Sequence, residues 1–183
     1  MRGESHRCLG KYLAARYMTN VPKRYVNAFL IGCIEPDRNP ATYLKGSFRC
    51  QWLRGHNYLN SRRFMKKLSR RLERKDKFGF YDYYSLGKLI HYTADAFTYA
   101  HNAHFPAQLR NHMAYEAELQ KHFLAYMAND PQVDSIIAQN IMNVICCYHR
   151  EYEQTASNIH TDSRFALAAC CCVAALLFAR PVL

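Results

Sequence analysis

Two histidine–carboxylate pairs in the sequence have the spacing that places both side chains on one face of a helix. His91 and Asp95 are four residues apart, and so are His112 and Glu116. Residues at positions i and i+4 lie one above the other on a helix surface. The residues around the first pair are apolar, and a carboxylate in such a helix is costly unless it is paired or bound to a cation. Both pairs are therefore candidates for cation binding.

The chemistry that these pairs suggest is zinc binding, because imidazole nitrogen and carboxylate oxygen are the usual zinc ligands other than thiolate. Pairs on separate helices of a bundle can converge on a shared interior, where two or more zinc ions activate a water and neutralise a phosphoryl transition state. The structural alternative is that each pair forms a hydrogen bond that ties helices together. A single pair favours this alternative, whereas two pairs with further candidates favour a metal site. The further candidates are His6, Asp37 and His56.

The order and spacing of these residues resemble the zinc-dependent phospholipase C family and its relatives, the S1/P1-type nucleases. The pattern of that family is an N-terminal His, a Pro-Asp, a His, then His-x3-Asp-x5-His and His-x3-Glu. The resemblance extends over residues 6 to 116. The matching elements are His6, Pro36-Asp37, His56, His91-x3-Asp95-x5-His101 and His112-x3-Glu116.

The resemblance implies an all-helical fold and two or three Zn²⁺ ions per chain. The first metal would be held by Asp37, His56, His91 and Asp95. The second would be held by His101, His112 and Glu116. The third would share Asp95 and use His6 with the amine and carbonyl of the first residue, which is Met here and Trp in the secreted members of the family. In the family, the counterpart of Asp37 is also a candidate general base, so Asp37 is our candidate catalytic residue.

The implied activity is that of a zinc-dependent phosphodiester hydrolase. A phospholipase C would use a metal-activated water to cleave a phospholipid into diacylglycerol and a phosphorylated head group. Glu116, rather than Asp, at the last ligand position resembles the phospholipase branch. Two alternatives remain open at this point: a single-strand nuclease of the S1/P1 type, and a non-catalytic, zinc-stabilised helical module that binds anionic membrane or nucleic acid.

The charge of the chain favours anionic partners. The formal net charge is +11 over 183 residues, and Arg62 to Lys77 is a strongly basic segment with a narrow apolar stripe at helical spacing. This predicted helix is either a solvated element that packs on the core or a surface that attracts phosphates. The expected partners are a phospholipid or other anionic phosphodiester, with peripheral membrane contact through helix 62–77 and nucleic acid as the less favoured choice.

Few residues that break helices occur in the sequence, since it has only seven Gly and six Pro. We predict one all-α domain over residues 1–183, a bundle of six or seven helices of the phospholipase C/P1 nuclease type. A turn is expected at Glu35 to Pro40, after an apolar run, with Asp37 at its mouth. The predicted helices are Ser5 to Tyr17, Arg62 to Lys77, Tyr84 to Ala100, Asn111 to Ala128, Asp134 to Ser157 and a last one from Ser163.

The N-terminal and C-terminal residues suggest where in the cell the protein is found. Phe165 to Ala179 is apolar but 15 residues long, shorter than the ~20 needed to span a bilayer, which favours a buried helix over a membrane-associating tail. The first residues lack the apolar region of a secretory signal. The eight cysteines lack CxxC spacing, which favours buried thiols in a reducing compartment. We therefore expect a cytoplasmic or peripheral membrane protein.

Overall fold

Helices make up most of the described part of the chain. The computed structural model describes residues 1–42, 56–102, 109–133 and 139–178, with only the backbone for residues 109–111. Within those ranges there are no strands, which confirms the predicted all-α fold. The helices are α1 (Gly3–Tyr17), α2 (Lys23–Arg38), α3 (Tyr58–Glu73), α4 (Phe80–Ala96), α5 (Leu109–Ala128), α6 (Ile141–Gln154) and α7 (Ile159–Phe178), with 3-10 helices at Pro40–Thr42 and Tyr99–His101.

Helix α4 is the centre of the fold. It packs against α2, α3 and α7, and most of its residues are buried on every side of the helix. Leu86, Leu89 and Tyr92 are all 0% exposed. A helix that is apolar all round is stable only when neighbouring helices cover it. The pair His91 and Asp95 therefore lies in the interior, at 0% exposure for both residues.

Helices α2 and α4 approach each other so closely that their backbones touch at two glycines. A Cβ atom on Gly32 would lie 2.2 Å from the carbonyl oxygen of Tyr84. A Cβ atom on Gly87 would lie 2.1 Å from the carbonyl oxygen of Phe29. Real Cβ atoms essentially never come within 3.0 Å of another heavy atom, so any side chain at these positions would push the helices apart.

The predicted turn at Glu35 to Pro40 is wrong, because α2 continues through Pro36 to Arg38. The proline lies in the last turn of the helix, so it removes only one backbone hydrogen bond near the end. The helix end is held by the Asn39 side chain, which donates to Glu35 at 2.7 Å, and by the Thr42 hydroxyl, which donates to the carbonyl of Pro36. Asp37 therefore projects from a helix rather than from a loop.

Other helix ends also differ from the prediction. The basic helix runs from Tyr58 to Glu73 instead of 62–77, because no apolar residue continues its buried stripe beyond Leu72. Helix α4 begins at Phe80, where the Asp82 side chain accepts from the backbone N–H of Gly79 at 3.0 Å. It ends at Ala96 rather than Ala100, α6 begins at Ile141, and α7 begins at Ile159. Asp134, the predicted start of α6, lies outside the described residues.

The apolar C-terminal segment forms part of the core, as the buried-helix interpretation expects. Within α7, Phe165 and most residues up to Leu177 are buried, and Ala179 lies outside the described residues. Helix α7 is long and apolar enough to cross a membrane by length and composition alone, but 72% of its most apolar window is buried inside the protein. Core helices of soluble proteins meet the same criterion.

Candidate metal centre

All eight predicted ligands lie together in one cluster. Each has a side-chain nitrogen or oxygen within 4.0 Å of a side-chain atom of another member. Five helical elements and the segment before α3 contribute to it. His6 comes from α1, Asp37 from α2, His56 from the residues before α3, His91 and Asp95 from α4, His101 from the second 3-10 helix, and His112 and Glu116 from α5.

The α4 group (Asp37, His56, His91 and Asp95) has the spacing of a tetrahedral zinc site. Nε2 of His91 lies 3.3 Å from Nδ1 of His56 and 3.2 Å from Oδ2 of Asp95. Oδ1 of Asp37 lies 3.6 Å from the same His91 nitrogen and 3.7 Å from the His56 nitrogen. Ligand atoms that bind a tetrahedral zinc at 2.0–2.1 Å lie about 3.3–3.4 Å apart. The distances among His56, His91 and Asp95 match this value, and those from Asp37 are a few tenths of an ångström longer.

The α5 group (His101, His112 and Glu116) is wider and more exposed. Oε1 of Glu116 lies 3.4 Å from Nε2 of His112 and 3.8 Å from Nε2 of His101. The His112 side chain is 29% exposed and that of Glu116 is 16% exposed. One donor atom from each residue lies within 4.8 Å of the other two. Two imidazoles and a carboxylate form the open set of three protein ligands seen at catalytic zinc sites.

A third set of donors lies between these groups, around Met1 and His6. The Met1 amine lies 2.6 Å from Oδ1 of Asp95 and 3.2 Å from Oε1 of Glu116. Nε2 of His6 lies 3.2 Å from the same Asp95 oxygen. Neither ring nitrogen of His6 has a hydrogen-bond partner in the described part of the chain, although both are buried. Buried polar atoms are normally hydrogen-bonded, so a buried imidazole that lies beside a carboxylate but makes no hydrogen bond to the described residues fits a ligand for a cation.

Three of the imidazoles are oriented by hydrogen bonds on the side that faces away from the cluster. Nδ1 of His91 pairs with the carbonyl of Cys33 at 2.9 Å. Nε2 of His56 pairs with the Thr42 hydroxyl at 3.0 Å, and Nδ1 of His101 pairs with the Thr98 hydroxyl at 2.7 Å. These partners assign the proton of each ring to the outer nitrogen and leave the inner nitrogen free to bind a metal. No sequence motif marks either threonine, so neither was predicted to support the site.

The charges of the cluster compensate one another. Burial opposes ionisation of Asp95, but His101 and the Met1 amine outweigh it and hold the pKa of Asp95 well below its usual value. Burial also lowers the pKa of the Met1 amine, yet Asp95 and Glu116 raise it to about 11. Burial lowers the pKa of His101 to about 3, so its ring is neutral near pH 7. Neutral imidazole and ionised carboxylate are the forms that bind metals.

The cluster opens to the surface through a cavity of about 250 Å³. The cavity walls include Asp37, Glu116 and one charged residue that is not a predicted ligand, Arg2. The Arg2 guanidinium donates to the carbonyl of Met113 at 2.9 Å, which fixes it beside the opening. A cation next to a metal site suits an anionic substrate such as a phosphodiester.

An all-α fold that gathers imidazoles and carboxylates beside an open cavity is typical of helical proteins that bind divalent metals. The model of the family described as "Zinc dependent phospholipase C" matches residues 6–171. The chain therefore belongs to the zinc-dependent phospholipase C family, which confirms the resemblance seen in the sequence; the relation to S1/P1-type nucleases is not shown. No curated protein and no solved structure matches the chain.

Proposed function

We propose that this protein is a zinc-dependent phospholipase C that binds two or three zinc ions through the eight clustered residues. The observation that carries the proposal is the spacing of the α4 group beside an open cavity: the donor atoms of His56, His91 and Asp95 lie 3.2–3.3 Å apart, and Oδ1 of Asp37 lies 3.6–3.7 Å from the two histidine nitrogens. Membership of the family supports the identity of the metal and the class of reaction. The third zinc would use His6 and the Met1 amine and carbonyl, with Asp95 shared between sites, and its binding would displace the proton that the amine carries at pH 7.

The reaction is hydrolysis of the phosphodiester between diacylglycerol and the head group. Bound zinc lowers the pKa of a water and offsets negative charge on the phosphoryl oxygens. Oδ2 of Asp37 is buried and has no hydrogen-bond partner in the described part of the chain, so it is placed to accept the proton of the attacking water. The water oxygen bonds to phosphorus, the bond from phosphorus to the diacylglycerol oxygen breaks, and that oxygen takes up a proton. Arg2 contacts the phosphate from the cavity wall.

The decisive measurement combines zinc content with turnover of two substrates. Purified protein is analysed for zinc per chain, then assayed on a water-soluble, short-chain phospholipid and on single-stranded DNA, before and after chelation and zinc restoration. We expect two or three zinc ions and zinc-dependent release of diacylglycerol. Cleavage of DNA in preference to phospholipid would identify the nuclease alternative. Bound zinc without turnover of either substrate would favour the non-catalytic module.

Peripheral contact with an anionic membrane is part of the proposal. Arg63, Lys66, Lys67, Arg70 and Arg74, which we call the basic face of α3, are exposed and line one surface depression. Among the described residues, no carboxylate lies within 4.0 Å of these five cations, whereas Arg71 and Lys75 pair with Asp82. Tyr81, 74% exposed, lies beyond the end of α3. Basic and aromatic side chains together are typical of surfaces that contact lipid head groups.

Vesicle binding tests this contact. Each Lys or Arg near an anionic bilayer contributes about 1 kcal/mol, so Arg63→Gln, Lys66→Gln and Arg70→Gln together should weaken binding to phosphatidylserine-containing vesicles by about 100-fold. A matched variant that neutralises Lys11, Lys23 and Lys121, which are also exposed, should bind as the parent does. Turnover of the short-chain substrate should be unchanged in both variants. Equal losses in both, or stronger binding to DNA than to vesicles, would contradict membrane docking at the basic face.

A further inference from the structure

A buried carboxylate outside the metal cluster joins three elements of the fold. Asp162 lies in the first turn of α7 and is 0% exposed. Its Oδ1 accepts a hydrogen bond from the Tyr152 hydroxyl at 2.7 Å. Its Oδ2 accepts from the Tyr115 hydroxyl at 2.7 Å and from the backbone N–H of Tyr99 at 2.8 Å. Three short hydrogen bonds satisfy a carboxylate that would be costly to bury unpaired.

The two oxygens of Asp162 serve different parts of the molecule. Both donors to Oδ2 lie next to predicted ligands of the α5 group: Tyr99 begins the 3-10 helix that ends at His101, and Tyr115 precedes Glu116 on α5. The rings of Tyr99 and Tyr115 also meet edge to face, with centroids 5.8 Å apart. The donor to Oδ1, Tyr152, belongs to α6, which carries none of the eight predicted ligands.

Oδ2 of Asp162 thus holds both the backbone of Tyr99, two residues before His101, and the side chain of Tyr115, which precedes Glu116. Nε2 of His101 and Oε1 of Glu116 lie 3.8 Å apart, and they come from elements that are separated in sequence by residues 102–108. Groups behind metal ligands that set ligand orientation commonly change metal affinity 10- to 100-fold when removed. Asp162 occupies that position for two ligands of the same proposed metal.

We infer that Asp162 is a positioning residue, which holds His101 and Glu116 at zinc-binding distance through Tyr99 and Tyr115. The inference rests on the metal centre of the proposed function but is independent of the substrate. It assigns a role to a carboxylate that touches neither the cavity nor the metal cluster. It also predicts that the two tyrosine hydroxyls bonded to Asp162 are not equivalent, although each makes a 2.7 Å hydrogen bond to the same group.

The test compares Tyr115→Phe with Tyr152→Phe. Each change removes one hydroxyl from the Asp162 carboxylate and keeps the aromatic ring, so both should lower the melting temperature of the metal-free protein to a similar degree. Zinc affinity is measured by competition with a chromophoric chelator, and the ligand field by the absorption spectrum of the cobalt-substituted protein. We expect Tyr115→Phe to weaken one zinc site about 10-fold and to change its cobalt spectrum, while Tyr152→Phe leaves both unchanged.

A second variant keeps the inference falsifiable if Tyr115→Phe folds poorly. Asp162→Asn should weaken the same zinc site, and adding Tyr115→Phe to Asp162→Asn should then weaken it no further. Equal zinc affinities in Tyr115→Phe and Tyr152→Phe would show that Asp162 is only a structural anchor, and would leave the proposed function intact. A parent protein that binds no zinc would instead refute the metal centre and this inference together.

Discussion

The two groups of the candidate metal centre are held in different ways. The α4 group is built into the core: His91 and Asp95 are 0% exposed on a helix that packs backbone to backbone against α2. The α5 group lies nearer the surface, with His112 29% exposed. The turn around His101 is held by hydrogen bonds: the backbone N–H of Tyr99 donates to Asp162, Nδ1 of His101 pairs with the Thr98 hydroxyl, and the Asn102 side chain donates to the carbonyl of Ala96. Rigid packing fixes the first group, and a polar network fixes the second.

This difference implies that the two groups respond to different perturbations. Interiors are densely packed, so a core change transmits strain directly to the α4 group. A hydrogen-bond network tolerates small shifts but loses its effect when one member is removed or changes its charge. Asp95 links the two groups, because its oxygens lie 3.2 Å from His91 of the α4 group and 4.0 Å from His101 of the α5 group.

Replacement of Asp95 should have the largest effect, since it abolishes the link between the groups. We expect Asp95→Ala to lose most of its bound zinc. Metal ions stabilise the transition state by several kcal/mol, so phospholipid turnover should fall by about 1,000-fold or more. Metal analysis and the short-chain substrate assay measure both quantities.

Asp82 offers the matched control on the same helix. It is also a buried carboxylate of α4, but it pairs with Arg71 at 3.0 Å, far from the cluster in sequence and in the fold. Asp82→Asn should reduce the free energy of unfolding while zinc content stays at the parent value. If Asp95→Ala kept its zinc and its activity, the assignment of both groups to one metal centre would be wrong.

Gly87→Ala should damage the α4 group through packing alone. The added methyl would lie 2.1 Å from the carbonyl oxygen of Phe29 and 2.7 Å from the backbone nitrogen of Cys33, and Cys33 also orients His91. Overpacking of this kind costs about 3 kcal/mol. We expect a lower melting temperature and weaker zinc binding at the α4 group.

Gly87→Ala also tests whether the two groups are held differently, because no residue of the α5 group contacts Gly87 or Gly32. Gly79→Ala is its control, since the nearest atom to an added Cβ there is 3.8 Å away. Zinc titration should therefore resolve one weakened site in Gly87→Ala and none in Gly79→Ala. Uniform weakening of all sites in Gly87→Ala would mean that the two groups are held by the same packing.

Most of the fold could be predicted from the sequence, but the hydrogen bonds that orient the candidate ligands could not. The scarcity of Gly and Pro, together with the family pattern, predicted an all-α fold, and the spacing of the histidines and carboxylates predicted membership of the zinc-dependent phospholipase C family; both are confirmed. The roles of the eight residues as ligands stay predictions, although the structure places them together. Asp162, Thr42 and Thr98 were out of reach, because hydrogen bonds between residues distant in sequence leave no local pattern. Pro36 misled the turn prediction, since a proline near a helix end costs only one backbone bond.

Lowering the pH should reduce the stability of the hydrogen-bond network behind the α5 group. His149 is buried on α6, and its Nε2 pairs with the side chain of Asn102, next to His101, at 2.9 Å. Burial lowers the pKa of His149 to about 4 from its usual value of 6.5. The unfolded chain therefore binds more protons between these two values, and the stability present at pH 7 is lost as the pH falls through that window.

For metal-free protein, His149 alone should reduce the free energy of unfolding by about 2 kcal/mol between pH 7 and pH 5. Urea unfolding of the parent and of His149→Gln at both pH values measures the difference. The variant should be less stable at pH 7, because it loses the ring that stacks on Tyr58 at 3.5 Å, but its stability should depend less on pH. His101, with its pKa lowered to about 3 by burial, keeps a pH dependence in both proteins. Identical pH dependence in parent and variant would place the acid sensitivity in the metal cluster itself, and not in the network behind the α5 group.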